Sequence, residues 1–158
     1  MANEDKKDFN AMLQKDNGMP KIQIVSDEAT IKKYGGEKMY FAPPKDYDHI
    51  MKQIPIGKVI TVKAIREYFA KKNNADFTDP ITAGIFVSIV AWASFQRKEE
   101  LTPYWRTLKV NGELNPKYPG GIEAQKKKLE EEGHTIIQKG RTHIRYYVKD
   151  YECSMFPL

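Results

Sequence analysis

The chain has little cysteine and no long uninterrupted apolar run, and each shortage excludes a class of protein. Its 158 residues include one cysteine, Cys153, which excludes an internal disulfide framework and favours a reducing, cytoplasmic setting. The longest apolar segment, residues 81–95, is interrupted by polar residues and falls short of the ~18 or more apolar residues of a membrane span. The first residues are polar and predict no secretory signal. We therefore expect no membrane partner.

Patterns typical of metal or cofactor sites are also missing. No grouping of His, Cys, Asp and Glu has metal-ligand spacing, and no glycine loop has phosphate-binding spacing, so we predict no cofactor. What the chain does have is positive charge, with a formal net charge of +5 and a pI near 9.1. That balance favours an anionic partner such as nucleic acid, although solubility alone explains it about as well.

Helical periodicity dominates after a weakly patterned N-terminal part. Residues 21–25 alternate as one short strand would. After Pro43, one apolar helix face is predicted at i, i+3, i+4 and i+7 by Tyr47, Ile50, Met51 and Ile54. A second helix is expected after Thr61, and Asp79-Pro80 predicts the cap of a third over residues 81–96, apolar nearly all round and so mostly buried. The last two helices, joined by a short loop, indicate a helix-turn-helix.

The remaining sequence predicts strands around one charged helix. Asn111-Gly112 is a hairpin-turn signal and predicts a two-stranded wing. A helix is expected over residues 122–132 with Gly133 as its C-cap, followed by a hairpin of residues 134–137 and 143–148. The predicted fold class is α+β and mostly helical: an N-terminal extension (1–42), a winged helix-turn-helix domain (43–133), and a C-terminal hairpin and tail (134–158) packed on that domain.

The tetrad Pro103-Tyr104-Trp105-Arg106 stands between two other recognisable segments. Upstream lies Ile-Pro-Ile-Gly-Lys-Val-Ile-Thr at 54–61, and downstream lies Lys-Tyr-Pro-Gly-Gly-Ile-Glu at 117–123, before a helix ending Glu-Glu-Glu-Gly at 130–133. This order resembles the DNA-binding domain of alkylguanine-DNA alkyltransferases, the methylated-DNA–protein-cysteine methyltransferases. In that family the tetrad is Pro-Cys-His-Arg, and its cysteine accepts the alkyl group.

The tetrad of this chain cannot accept an alkyl group as the family's cysteine does. A tyrosine phenol, with a pKa of ~10, is mostly protonated at neutral pH, so Tyr104 cannot replace a thiolate. Trp105 has no basic nitrogen. The resemblance is therefore to the cysteine-less alkyltransferase-like proteins, which bind alkylated guanine in DNA, and it implies no catalytic residue. Two interpretations of Tyr104 and Trp105 stay open: their rings line a pocket for a flipped base, or they fill the space of a lost site.

The resemblance also assigns site residues. The base pocket is expected to comprise Tyr104, Trp105, Tyr118, Gly120, Gly121 and Glu132. Contacts to DNA are expected from Thr61, Lys63, Arg66, Ala83, Gly84, Arg106 and Lys109. The family's flipping tyrosine falls at Val62, and its intercalating arginine has no counterpart, because Lys and Arg are absent between Lys72 and Arg97. Further positive charge is expected from Lys58, Lys139, Arg141 and Arg145.

Three functions follow, and they differ in class. The first is a non-catalytic protein that binds double-stranded DNA, with alkylated guanine as its expected lesion. The second is a protein-interaction module, with a repair protein as a partner, motivated by the uncharged recognition helix and by exposed-looking aromatic residues at Phe95, Tyr146 and Tyr147. The third is an active methyltransferase, which would require Cys153 to reach the pocket.

Overall fold

Helices build the interior, and short strands tie distant segments together. The computed structural model describes residues 7–158. The helices are α1 (Phe9–Gln14), α2 (Glu28–Tyr34), α3 (Pro44–Met51), α4 (Val62–Lys72), α5 (Pro80–Gln96) and α6 (Gly121–Glu131). The strands are β1 (Lys21–Ile24), β2 (Lys38–Phe41), β3 (Ile60–Thr61), β4 (Phe77–Thr78), β5 (Thr107–Leu108), β6 (Ile136–Lys139) and β7 (Arg145–Val148). This mixture confirms the predicted α+β class.

The three helices predicted from periodicity are present. The apolar face predicted for α3 is buried, including Ile54 just beyond its end. Thr61 caps α4 by accepting a hydrogen bond from the Ala64 N–H at 3.1 Å. The Asp79 carboxylate likewise caps α5, accepting from the N–H groups of Ile81 and Thr82.

One surface of α5 departs from the prediction of all-round burial. Ile81 is 73% exposed and Ile85 is 49% exposed, while the opposite surface of the helix is buried in the core. An apolar surface that is exposed to solvent costs free energy unless a partner covers it, so these positions indicate a surface that binds a partner. Within residues 7–158, no helix is both long and apolar enough to cross a membrane.

The N-terminal segment is more structured than the single strand expected. It contributes two helices and two strands, and β1–β2–β4 form a sheet in which β1 is antiparallel to β2 and β2 is parallel to β4. Helix α1 packs on α5, where the Phe9 ring stacks on Trp92 with centroids 5.7 Å apart. The segment is thereby joined to the helical core at both α1 and β2.

The turn predicted at Asn111-Gly112 is present, but it does not connect a two-stranded wing. Both residues have positive φ, 65° and 79°, and the Lys109 N–H donates to the Glu113 carbonyl at 2.8 Å across the turn. The flanking segments then diverge. Strand β5 before the turn pairs in parallel with β3, and Leu114 after it donates to the Tyr146 carbonyl of β7. The predicted pairing of these two segments is therefore not confirmed, while the fold is consistent with a winged helix.

The bounds of the C-terminal helix and hairpin agree with those predicted from the sequence within a residue or two. Helix α6 spans Gly121–Glu131, and Gly133 adopts φ 95° after it, as a C-cap glycine does. Strands β6 and β7 pair antiparallel in the register Ile136↔Val148 to Lys139↔Arg145. Their buried face completes a second apolar cluster that includes Leu108, Leu114 and Leu129. This cluster fixes α6 beside the tetrad.

Candidate nucleic-acid interface

Tyr104 of the tetrad and Tyr118 pack against each other in the interior of the protein. Tyr104 begins a 3₁₀ turn, and its ring makes edge-to-face contacts with Trp105 and Tyr118, each at a centroid distance of 5.4 Å. Tyr118 is fully buried, and its hydroxyl donates to the Thr107 carbonyl at 2.9 Å. A base could stack between these rings only after they separated. Tyr104 is thus packed as the space-filling interpretation expects, but Trp105 is only partly buried, so the choice between the two interpretations stays open.

Burial also removes what little reactivity the phenols have. Burial raises the pKa of Tyr104 above the ordinary value of a tyrosine, and burial raises that of Tyr118 further. Both hydroxyls therefore stay protonated at neutral pH. No base stands beside Tyr104 in the tetrad, because the indole N–H of Trp105 only donates. The local chemistry excludes Tyr104 as an acceptor of alkyl groups.

Arg106 and Glu132 form the polar centre of the motif. The Arg106 Nε and Nη2 donate to the two Glu132 oxygens at 2.9 and 2.7 Å, a bidentate ion pair. The remaining Nη1 donates to the Ile54 carbonyl at 2.7 Å, and the Trp105 indole N–H donates to Glu132 at 3.0 Å. Burial alone would raise the pKa of Glu132, but the hydrogen bonds from Arg106 and Trp105 outweigh it and hold the pKa below its ordinary value.

In this arrangement two predicted site residues are already engaged by protein groups, and their assignments stay predictions. Arg106 was expected to contact DNA, but it is 8% exposed and its guanidinium is occupied by protein acceptors. Glu132 was expected to line a base pocket, but both of its oxygens accept hydrogen bonds from tetrad side chains. The pair ties the end of α6 to the tetrad across 26 residues. It positions the motif and does not present charge to a ligand.

Gln125 is a site residue that sequence reasoning missed. It is 2% exposed, its amide N–H donates to the Trp105 carbonyl at 3.0 Å, and its oxygen accepts from the Asn115 N–H at 2.7 Å. It thus joins the tetrad to the segment that precedes Tyr118. The available signal was its spacing, since Gln125 lies four residues before the apolar Leu129 and therefore on the inward face of α6.

The two glycines after Tyr118 begin a helix. Gly120 and Gly121 have φ values of 78° and 68°, a conformation that other residues rarely adopt. A Cβ on Gly120 would lie 2.6 Å from the Ala124 Cβ, so a side chain there would clash with α6. These observations favour an ordinary helix-initiating turn. A role as a base-pocket lid stays a prediction.

A groove with a positive rim lies on the exposed surface of α5. Its volume is about 510 Å³, within the usual range for ligand sites. Cationic side chains on its rim are Lys63, Arg66, Lys109 and Lys117. Its apolar lining comprises Val62, Pro80, Ile81, Ile85, Val87, Val110 and Pro116. We call this feature the α5 groove.

Gly84 opens the α5 groove at its centre. It lies inside a helix, where glycine costs about 0.5–1 kcal/mol relative to alanine. A Cβ built on it would meet no described atom within 4 Å, so internal packing does not demand glycine here. The absence of a side chain instead leaves room on the solvent side of α5. Gly84 therefore allows a ligand backbone to approach the helix closely.

The rim cations are only weakly neutralised. Lys63 and Lys109 lie 3.9 Å from Glu67 and Glu113, respectively, at the limit of an ion pair, and both lysine side chains are exposed to solvent. Within residues 7–158, the Arg66 guanidinium has no hydrogen-bond or ion-pair partner. No carboxylate is among the described residues that line the groove. The groove thus presents four cations, including Lys117, which sequence reasoning did not select.

Two further predicted DNA contacts point inward. Thr61 is 6% exposed because its hydroxyl caps α4, and Ala83 is fully buried against the core. Their side chains are thus turned away from solvent, and their contacts to DNA stay predictions. Tyr146, expected to be exposed, is buried and donates its hydroxyl to Glu123 at 2.6 Å. Phe95, by contrast, is exposed as expected.

Comparison with known proteins gives a structural likeness only. Neither a protein-family model nor a curated protein sequence matches the chain. The crystal structure of S. pombe ATL in complex with DNA matches with a TM-score of 0.53 at 22% identity, covering 73% of this chain and 94% of the other. That of S. pombe Atl1 in complex with damaged DNA containing O6-carboxymethylguanine matches at 0.49 and 20% identity, with the same coverage. The chain has the fold of the S. pombe alkyltransferase-like protein.

Proposed function

We propose that this protein binds double-stranded DNA through the α5 groove without catalysing a reaction, and that it prefers duplexes containing alkylated guanine. The observation that carries the proposal is the groove itself, four cations around an apolar surface with Gly84 open at its centre. The fold match to a protein in complex with DNA supports DNA binding. We further propose a cytoplasmic location and a repair protein as a downstream partner.

The cations of the rim set the expected strength of binding. If Lys63, Arg66, Lys109 and Lys117 each neutralise one phosphate, log K falls with log salt with a slope of about −3.6. Affinity then drops about 150-fold between 50 and 200 mM salt. Because α5 carries no Lys or Arg in the groove, this charge comes entirely from its neighbours. A duplex would therefore be held at the rim while its bases face the apolar lining.

The apolar lining gives a physical reason for preferring an alkylated base. Ile81 and Ile85 expose apolar surface that a flipped base and its alkyl group can cover. Each buried CH₂ contributes about 0.8 kcal/mol, so a methyl group corresponds to about a fourfold preference. The closed packing of Tyr104 and Tyr118 directs the base to the α5 groove instead of the space between those rings.

The test is a binding titration with matched duplexes. Fluorescence anisotropy would compare plain DNA with the same sequence carrying O6-methylguanine, each over a salt series. We expect tighter binding of the modified duplex and a marked salt slope. Lys63→Ala with Arg66→Ala should reduce the slope by about 1.8, whereas Lys45→Ala with Lys127→Ala, exposed lysines outside the groove, should not. Absence of salt-dependent binding would refute the proposal; equal binding of both duplexes would refute only the lesion preference.

An active methyltransferase is disfavoured by the position of the cysteine. Cys153 is exposed on the 3₁₀ turn Tyr151–Ser154 and lines neither the α5 groove nor the ring cluster. Incubation with O6-methylguanine DNA should therefore leave the mass of the protein unchanged. A gain of one methyl group would overturn the non-catalytic assignment.

A protein-interaction function has one specific observation in its favour. Phe95 at the end of α5 is 60% exposed and makes an edge-to-face contact with the buried Trp92, so it exposes apolar surface outside the lining of the α5 groove. Loss of DNA binding in Lys63→Ala with Arg66→Ala would remove the main support for this alternative. Unchanged binding in that variant would favour it.

A further inference from the structure

A second cationic depression lies between α2 of the N-terminal segment and α4 of the segment that resembles alkyltransferases. It has a volume of about 570 Å³, and four basic side chains line it: Lys33, Lys63, Arg66 and Lys71. Its acidic lining residues are Glu67 and Asp76, so the lining carries a net charge of +2. We call it the α2–α4 cleft.

The cleft is held in place by packing. The Tyr34 ring at the end of α2 stacks on Phe77 of β4, with centroids 4.5 Å apart and planes 10° from parallel. Gly36 follows so closely under Asp76 that a side chain there would collide with the carboxylate. Asp76 in turn accepts a hydrogen bond from the Lys38 N–H at 2.9 Å. Lys33 is therefore carried on a helix fixed to the core.

The cleft and the α5 groove share two lining residues. Lys63 and Arg66 of α4 line both. A nucleic-acid strand whose phosphates contact these two residues therefore meets Lys33 and Lys71 as it continues past α4. The acidic residues Glu67 and Asp76 oppose this in part, but the four basic side chains outnumber them two to one.

We propose that the α2–α4 cleft binds the phosphate backbone of the DNA held in the α5 groove, so that the N-terminal segment extends the contact along the duplex. This rests on the proposed function. Lysine ammonium groups attract phosphate as point charges without reading base identity. The contribution is therefore to affinity and footprint, and it is the same for plain and alkylated duplexes.

The decisive variant is Lys33→Ala with Lys71→Ala. Both lysines are exposed, so their removal leaves the core intact. Loss of two phosphate contacts should lower the magnitude of the salt slope by about 1.8. The fall in affinity between 50 and 200 mM salt then becomes about 12-fold smaller than in the unmodified protein. Lys45→Ala with Lys127→Ala removes the same charge elsewhere and serves as the control.

Duplex length provides an independent readout. When the duplex is shortened stepwise from each end, the unmodified protein should lose affinity before the Lys33→Ala, Lys71→Ala variant does, because only the former uses the outer phosphates. The two proteins should converge on the shortest duplexes.

The outcomes separate this inference from the proposed function. If the unmodified protein binds with a salt slope and the variant has the same slope, the cleft is not a DNA contact, while the function stands. A slope lowered equally by the control pair also overturns the inference, since net charge alone then explains the effect. If the unmodified protein does not bind DNA, both fail.

Discussion

Replacing Glu132 with glutamine should destabilise the protein strongly, because it leaves a buried guanidinium without its counter-ion. The side chains of Arg106 and Glu132 are 10% and 12% exposed, and the glutamate accepts three hydrogen bonds. Breaking a buried pair from one side costs about 3–5 kcal/mol. Some solvent reaches this pair, so we expect about 3 kcal/mol. For a chain of this size that corresponds to a fall in Tm of about 6–12 °C.

Urea and thermal unfolding followed by circular dichroism would measure this loss. Glu131→Gln is the matched control, since Glu131 is exposed and adjacent on α6, and it should change stability by less than about 0.5 kcal/mol. A loss of under about 1 kcal/mol in Glu132→Gln, the value of an exposed pair, would refute the reasoning.

The same pair makes a signed prediction about pH. Hydrogen bonding holds the pKa of folded Glu132 below that of the unfolded chain, about 4.3. Its contribution is therefore complete above that value and is lost as pH falls through the folded pKa. Glu132→Gln should lack this part of the acid dependence. Burial lowers the pKa of His134 below that of the unfolded chain, about 6.5. The stability that His134 contributes in its neutral form is therefore lost as pH falls below about 6.5, a higher pH than for Glu132.

Three other variants test the site. Gly84→Ala should raise stability by about 0.5–1 kcal/mol in thermal unfolding, because its Cβ meets open space, and yet weaken duplex binding; unchanged affinity would contradict the close approach to α5. Tyr118→Phe leaves the Thr107 carbonyl without its buried donor and should cost about 1–3 kcal/mol in urea unfolding, so no loss would show that the bond is dispensable. Tyr104→Cys should gain no methyl group in mass spectrometry, because burial raises the thiol pKa and Trp105 supplies no base; a gain would refute this.

Local patterns predicted the helical frame well. The apolar spacing of α3 and the caps at Thr61 and Asp79 are short-range features, and the structure confirms each. The short helices α1 and α2, of 6 and 7 residues, give too few turns for a periodic signal. The pairing of the wing could not be predicted because a turn signal does not specify the partners of its flanking segments, and here those partners are β3 and β7.

The site was harder to predict because it depends on contacts between distant residues. Arg106, in a tetrad that resembles one from DNA-binding proteins, is naturally expected to contact phosphate, and only the position of Glu132, 26 residues later, shows that it is already paired. The burial of Thr61 and Ala83 was not predicted for a related reason, since periodicity gives a helix face but not its depth in the core. Lys63, Arg66, Gly84 and Lys109 line one groove, and their contacts to DNA stay predictions.

The joining of the N-terminal segment at Phe9 and β2 has a consequence for dissecting the protein. A fragment beginning at residue 43 would bare the stacked face of Trp92 and leave Phe77 without the β2 strand beside it. Such a fragment would report the behaviour of an opened core, and its weakness or aggregation would say nothing about the tetrad. Point substitutions in the complete chain are therefore the proper tools, and melting should be a single transition that includes both regions.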